Sequence, residues 1–395
     1  MKKGYLFIAN GRIIPLEQYQ SKESIKTGSF EGAAMYAANE MGWKLYQGIN
    51  RQYADELKGV DYDITFYDQN IYRSIFDIKN NLKGYRNLCK MLTDHPDIEV
   101  IHCNTPIGGV IGRLCGKKFR KKVIYTAHGF HFYKGAPLVN RTIFKWIEQW
   151  MARYTDVLIT INKEDYESAQ KFTLKKGGHA VYIPGIGINS KVFDSVAVDK
   201  AAKKQEIGVP AEAHLCLGVG DLNDNKNVAT MIKAIAKSPA SVHLALCGFG
   251  PLEDQLRELC KSLKVENRVH FLGFRTDVSE LYKASDFLFM ASKREGLPRT
   301  TMEAMCAGLP CLCSNIRGNT DLIDEGKGGF LISPLDVDGF AEAISKLISN
   351  PQMCEVMGTY NREKVKAFDI EVVRKLMCEV FSPLKSYGSC KAIRL

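Results

Sequence analysis

Two glutamates in the stretch Arg294-Glu295-Gly296-Leu297-Pro298-Arg299-Thr300-Thr301-Met302-Glu303-Ala304 carry the most informative chemistry in this chain, with seven residues between them. The apolar run Phe287–Met290 ahead of them reads as a buried parallel strand. Glu303–Ala307, closed by Gly308, reads as helix. The first glutamate therefore sits on a strand-to-helix loop and the second in the first helical turn. Backbone N–H groups near Thr300 and Thr301 then face a phosphate, and both carboxylates stay available for hydroxyls. A carboxylate accepts two hydrogen bonds from a vicinal diol, and ribose and hexoses both carry diols, so the arrangement suits a nucleotide-sugar. Taken alone, the pair has a plainer reading, with Glu303 a favourable anion at a helix N-terminus and Glu295 a solvated loop residue.

Other loops follow strand-like runs. Gly218-Val219-Gly220-Asp221-Leu222-Asn223-Asp224-Asn225-Lys226-Asn227 is one, and Gly248-Phe249-Gly250-Pro251 a second. The two glycines of the second permit close backbone approach to a ligand, although a tight turn needs the same residues. Gly273-Phe274-Arg275 is a third, and His128 closes the run Tyr125-Thr126-Ala127. Asp61-Tyr62-Asp63 and Asp336-Val337-Asp338 have a metal-binding form. No apolar strand aims the first at a diphosphate, and the second opens a helix where aspartates are ordinary caps, so no metal is expected. Cys306, Cys311 and Cys313 have no histidine near them in sequence, which argues against zinc.

These loops need elements to hold them. Strand-like and helix-like runs alternate throughout the 395 residues. Expected strands lie near 5–9, 64–66, 100–103, 123–126, 157–161 and 181–183, then near 215–219, 242–247, 269–271, 287–290, 310–313 and 330–332. Continuous apolar strands between amphipathic helices mean parallel sheets covered on both faces. Two such sets predict an α/β chain of two doubly wound, Rossmann-like domains. The expected boundaries are 1–189, a linker at 190–207, and 208–368, with the remaining 369–395 a C-terminal segment. Ligands then belong at the carboxyl ends of strands, in a cleft between the domains.

No apolar run is long enough to span a membrane. The short N-terminal apolar run reads as a first strand rather than a secretion signal. The 12 cysteines are scattered, with Cys103, Cys216, Cys247, Cys311 and Cys313 in strand-like runs, as in a reduced, cytoplasmic protein. The net charge is +10, and residues 101–150 hold nine Lys or Arg against the single acid Glu148. Arg113, Lys117, Lys118, Arg120, Lys121 and Lys122 are nearly contiguous, and Trp146 and Trp150 share one face of an expected helix at 141–154. Such a patch fits an anionic membrane surface, or equally a solvated loop beside core aromatics. Nucleic acid is not expected, since no recognition motif accompanies the charge.

The glutamate loop, with Gly308-Leu309-Pro310 and Asn315-Ile316-Arg317-Gly318-Asn319-Thr320-Asp321-Leu322-Ile323 after it, closely resembles the donor site of retaining glycosyltransferase family 4, whose members have the GT-B fold. The form most resembles the branch that builds bacterial capsular polysaccharides and exopolysaccharides. The resemblance implies transfer of a hexose from a nucleotide-sugar, most often UDP-linked, to a lipid-linked saccharide at the inner membrane face, without metal or other cofactor. It implies that Glu303 binds the ribose, Glu295 the sugar hydroxyls and Lys226 the diphosphate. Gly220, Asn227, Gly248, Gly250, Gly296, Leu297, Arg299, Thr300 and Thr301 would line the donor site. Phe274 and Arg275 would hold the base, and His128 would face the transferred sugar. A C-terminal helix near Ile370–Phe381 would cross back to the first domain. Two departures stand out. Asp221 occupies the usual place of a phosphate-binding arginine, and no paired-glycine loop follows the first strand, where Ala9–Pro15 and Gly28–Gly32 are the only candidates. An epimerase of the same fold, or a silent nucleotide-sugar-binding subunit, are the alternatives.

Overall fold

The computed structural model describes residues 2–9, 32–50, 62–72 and 74–385. The loop candidates at 10–15 and 28–31, and Asp61, lie outside the described residues. Seven strands make the first sheet: β1 Gly4–Ile8, β2 Lys44–Ile49, β3 Ile64–Asp68, β4 Ile98–Asn104, β5 Lys122–Ala127, β6 Val157–Thr160 and β7 His179–Tyr182. Six make the second: β8 His214–Val219, β9 Val242–Cys247, β10 Val269–Gly273, β11 Phe287–Met290, β12 Cys311–Ser314 and β13 Gly329–Ile332. The orders are β3-β2-β1-β4-β5-β6-β7 and β10-β9-β8-β11-β12-β13, and every ladder is parallel. All six strands expected in the second set are present. β2 was not among the expected strands.

Strand order reverses once in each sheet, between β1 and β4 and between β8 and β11. Loops leaving adjacent strands there diverge to opposite faces and leave a crevice, the usual ligand position of doubly wound sheets.

Two compact units result. One takes the chain up to Gly187 and again from Ile370, and the other is Ile188–Asp369. In the first, β1, β2, β4, β5 and β6 bury apolar side chains on both faces. One face is covered by Gly32–Glu40 and the C-terminal helix Ile370–Lys385, whose Val373, Met377, Phe381 and Leu384 join Tyr5, Trp43 and Leu45. Trp43 and Phe381 stack with centroids 5.6 Å apart. The second unit has its own core, in which Phe289 of β11 lies against Phe340. Residues 190–207 carry two short helices, Lys191–Asp194 and Lys200–Glu206. Lys203 binds Asp277 and Glu280, and Lys204 binds Asp286, so the segment is tied into the second unit. At the joint the two connecting segments run side by side, Ile188 N donating to Phe368 O at 3.0 Å and the Ser190 hydroxyl to Asp369 at 2.6 Å.

Candidate active site

The loops after β8 and β11 flank the switch point of the second sheet, and the chain stitches them together residue by residue. Lys293 N donates to Asn225 O at 2.8 Å, and the Asn225 amide donates to Arg294 O at 2.9 Å. One residue further on, Lys226 Nζ meets Glu295 Oε1 at 2.8 Å. The two charged groups named for diphosphate and sugar therefore form an ion pair at the mouth of the crevice, both largely but not wholly covered.

The helix Arg299–Ala307 begins just beyond, after Pro298 in extended conformation, and ends at Gly308 with φ +78°. The first N–H groups of a helix have no partner within the helix itself. Thr301 is buried, its hydroxyl turned to the sulfurs of Met290 and Cys313, and Thr300 turns to Met290 as well. The hydroxyls of both are therefore turned into the unit, and the Thr300 carbonyl accepts from the Tyr282 hydroxyl at 3.1 Å. Glu303, four residues into the helix, takes Arg299 Nε at 2.8 Å and the Tyr282 hydroxyl at 3.3 Å. Burial raises its carboxyl above the usual carboxylate range. Tyr282, fully buried, was not singled out in the sequence because a tyrosine on the buried face of a helix looks like any core residue.

The glycines of the next loops have a specific job. A Cβ on Gly248 would lie 2.0 Å from Gly220 O, and one on Gly250 2.4 Å from Leu222 O. Gly220 itself has φ +144°. The close backbone approach expected of Gly248 and Gly250 is thus made to the β8 loop, which it holds in place. Gly296 plays the same part toward Gly318, whose added Cβ would meet Gly296 O at 2.5 Å, and Leu297 packs inward. Arg317, nearly buried, donates from Nε to Glu295 O at 3.2 Å and fixes the loop that carries Glu295. Asn227 differs from expectation. Its amide donates to Ala291 O and Pro334 O, so its side chain is committed to joining loops rather than to a ligand. Arg275 is likewise committed, to Asp277 and Glu206 at 2.5–2.8 Å. These bonds hold Asp277 down to about 2. Its neighbour Phe274 is 54 % exposed.

The switch point of the first sheet is neutral. His128, past the end of β5, lies 2.9 Å from the Asn104 amide at the end of β4. Burial lowers His128 to about 4, so it is uncharged at neutral pH. Asn104 is 1 % exposed, and its side-chain oxygen Oδ1 has no partner among the described residues. Thr105 follows with φ +64° and ψ 160°, a region nearly reserved for glycine and costing about 1–3 kcal/mol. Strain of that kind on a β-branched residue collects where geometry is functional. Beneath lies His102, hydrogen-bonded to the Tyr5 hydroxyl at 2.6 Å and Thr126 at 2.7 Å, and lowered to about 3 by burial. None of Asn104, Thr105 or His102 carried a sequence signal.

The expected basic patch needs one correction. Arg113 is 1 % exposed and buried under Tyr125, paired to Glu148 at 2.8 Å. The helix Pro106–Phe119 turns it inward, four residues from the exposed Lys117. Lys117, Lys118 and Arg120 are exposed, while Lys121 and Lys122 are half-buried, bound to Pro96 O and Asp156. Asp336 caps the helix Val337–Ser349 through Gly339 N.

Two Rossmann-like units, one with a charged crevice at its switch point, give the architecture of the GT-B fold. Comparison with known proteins gives the family. Residues 199–364 match the family described as Glycosyl transferases group 1, and residues 51–184 match Glycosyltransferase Family 4. A putative glycosyltransferase of Bacillus subtilis, EpsD, is 35 % identical over 87 % of this chain and 90 % of its own. The UDP-Gal:α-D-GlcNAc-diphosphoundecaprenol α-1,3-galactosyltransferase of Escherichia coli is 29 % identical over 76 % of this chain and 78 % of its own. The solved structure of Anabaena HepE with UDP and glucose superimposes with a TM-score of 0.74 at 20 % identity, over 96 % of this chain and all of that one. The chain belongs to the family 4 glycosyltransferases and is an enzyme of the hexosyltransferase class.

Proposed function

We propose that the chain transfers a hexose from a UDP-sugar to a lipid-linked saccharide, with retention at the anomeric carbon and without a metal, in bacterial exopolysaccharide or capsule assembly. The observation that carries this reading is the Lys226–Glu295 ion pair across the switch point of the second sheet. An incoming diphosphate offers Lys226 a stronger partner, and Glu295 is released to accept bonds from sugar hydroxyls. Lys226, Arg299 and the first-turn amides of Arg299–Ala307 then neutralise the leaving diphosphate. Asp221 has no such role, so these groups carry the neutralisation. Glu303 accepts the ribose diol. The bond from the anomeric carbon to the diphosphate breaks, a bond to the acceptor oxygen forms on the same face, and the acceptor proton passes to the departing phosphate. The first unit contributes His128 as an uncharged hydrogen-bonding group for a substrate hydroxyl.

The lipid-linked acceptor and the polysaccharide role draw support from the B. subtilis and E. coli relatives. UDP draws support from the E. coli relative's donor and from the ligand of the Anabaena protein. An acceptor anchored in lipid places the enzyme at the inner face of the membrane as a peripheral protein.

The test is melting temperature with UDP, GDP, ADP and their sugars, with and without magnesium. A ligand that binds only the folded state raises it. UDP and one UDP-sugar should stabilise wild type without magnesium, and Glu303→Ala should lose that shift while melting no lower unliganded. Absence of any shift at millimolar ligand in both conditions would overturn the reading.

A further inference from the structure

The helical segment at 138–152 opens with a π-helical turn, Asn140–Phe144, and continues as Lys145–Ala152. Leu138, Val139, Ile143, Trp146 and Trp150 on it are 74, 56, 55, 64 and 41 % exposed. The last four follow one another at intervals of four, three and four, which lines them along one helical stripe. Trp146 and Trp150 stack in parallel, centroids 6.2 Å apart at 5°. The opposite side of the helix is anchored, with Met151 and Ala152 buried and Glu148 held by Arg113 and Tyr125. An exposed apolar ridge on an anchored helix marks an interaction surface rather than poor packing.

Charge identifies the occupant. Glu148 is the only acid between 134 and 153, and Arg113 takes its charge. Lys134, Arg141, Lys145 and Arg153 beside the ridge are all exposed. The ridge also joins the exposed Lys117 of Pro106–Phe119, because Tyr154 stands edge-on to Trp150 at 5.9 Å and takes a hydrogen bond from Lys117 Nζ at 2.9 Å. Stacked tryptophans flanked by bases match the boundary of an anionic bilayer, where rings enter the headgroup layer and cations meet lipid phosphates. We infer that this ridge is the surface by which the enzyme inserts into anionic membrane, with Trp146 and Trp150 in the acyl boundary and Lys117, Arg141, Lys145 and Arg153 around them. The inference deepens the reading of a membrane-held acceptor and rests on it.

The chain reports on itself, since its only other tryptophan, Trp43, is 6 % exposed in the first core. Full-length protein is mixed with phosphatidylcholine vesicles, with and without phosphatidylglycerol, some carrying brominated acyl chains. Binding only to phosphatidylglycerol vesicles, with emission quenched by the brominated lipid, is expected. Ile143→Asp with Trp146→Asp should weaken sedimentation with these vesicles at least tenfold, leaving the UDP-induced melting shift unchanged. Vesicle binding without quenching, or undiminished in the double variant, overturns the inference. So does a wild-type dimer that the double variant dissociates, which would give the ridge to a second copy. Quenching needs no acceptor, so a failed ridge and a failed transfer reaction are seen separately.

Discussion

The two sheets reverse their strand order in the same way and equip the reversal differently. At β8/β11 the loops bring up Lys226, Glu295, Arg299 and Glu303, four formal charges within hydrogen-bonding networks. At β1/β4 the described residues bring up His128, Asn104 and, below them, His102 with Tyr5 and Thr126, all neutral. Charge suits a site that must hold a diphosphate and release it. Neutral, buried groups suit one that orients hydroxyls without attracting ions. On the proposed reading, one topology would serve donor and acceptor by a change of residue type at one place.

The largest expected effects test this division. Lys226→Ala should lower kcat/KM about 10²–10³-fold, the range for losing one group that stabilises developing negative charge. His128→Ala removes a neutral hydrogen bond and should cost about tenfold. Steady-state kinetics with a UDP-sugar and a lipid acceptor measure both. A His128 loss larger than the Lys226 loss would invert the comparison and place the decisive chemistry in the first unit.

Acid should separate the units next. His102 at about 3 and His128 at about 4 lie below the ordinary histidine value of about 6.5. The unfolded chain therefore binds protons that the folded first unit refuses. The stability these groups contribute is complete above about pH 6.5 and is lost as pH falls toward their folded values. Each contributes a slope of up to about 1.4 kcal/mol per pH unit in that window. Glu303 works in the opposite sense. Its raised value means stability present at lower pH and lost as pH rises through the folded value. Hydrogen exchange between pH 7 and 5 should open the first unit before the second, though His270 at about 4 and His243 beside it, also lowered by burial, give the second unit a share of the same weakness. His102→Gln should flatten the slope for the first unit. An unchanged slope would mean that His102 is not the group excluding protons.

The same contrast governs what was legible in the sequence. Glu295 and Lys226 lie in loops, and Glu303 in the helix after one, where charged residues at fixed distances from apolar strands stand out, and the structure pairs Lys226 with Glu295. The second sheet was readable strand by strand because each strand is mostly apolar, with at most one histidine or serine in it. β2 was not, because Lys44, Gln47 and Gly48 interrupt it, and neighbours rather than propensity make it a strand. Asn104 and His102 gave no signal for a related reason: a polar residue in an apolar strand declares itself only through its cross-strand partner. Arg113 misled in the other direction. One residue in a basic run turned inward, because Glu148, 35 positions away, was there to receive it.

The smallest effect concerns Phe274 and Arg275, which the sequence treated as one base-holding unit. Arg275 donates to Asp277 and Glu206 and ties the β10 loop to the helix Lys200–Glu206. Phe274 is half-exposed and makes none of these bonds. Phe274→Ala should therefore weaken UDP binding by about 1 kcal/mol, near the low end for loss of base–aromatic stacking, with little change in melting temperature. Arg275→Ala should do the reverse, lowering the melting temperature and leaving UDP affinity nearly intact, since its guanidinium is already occupied. Calorimetric titration with UDP and thermal melts of the two variants read both quantities. If Arg275→Ala loses affinity and not stability, the guanidinium exchanges its carboxylates for the nucleotide, and the charged crevice extends one strand further than its present bonds indicate.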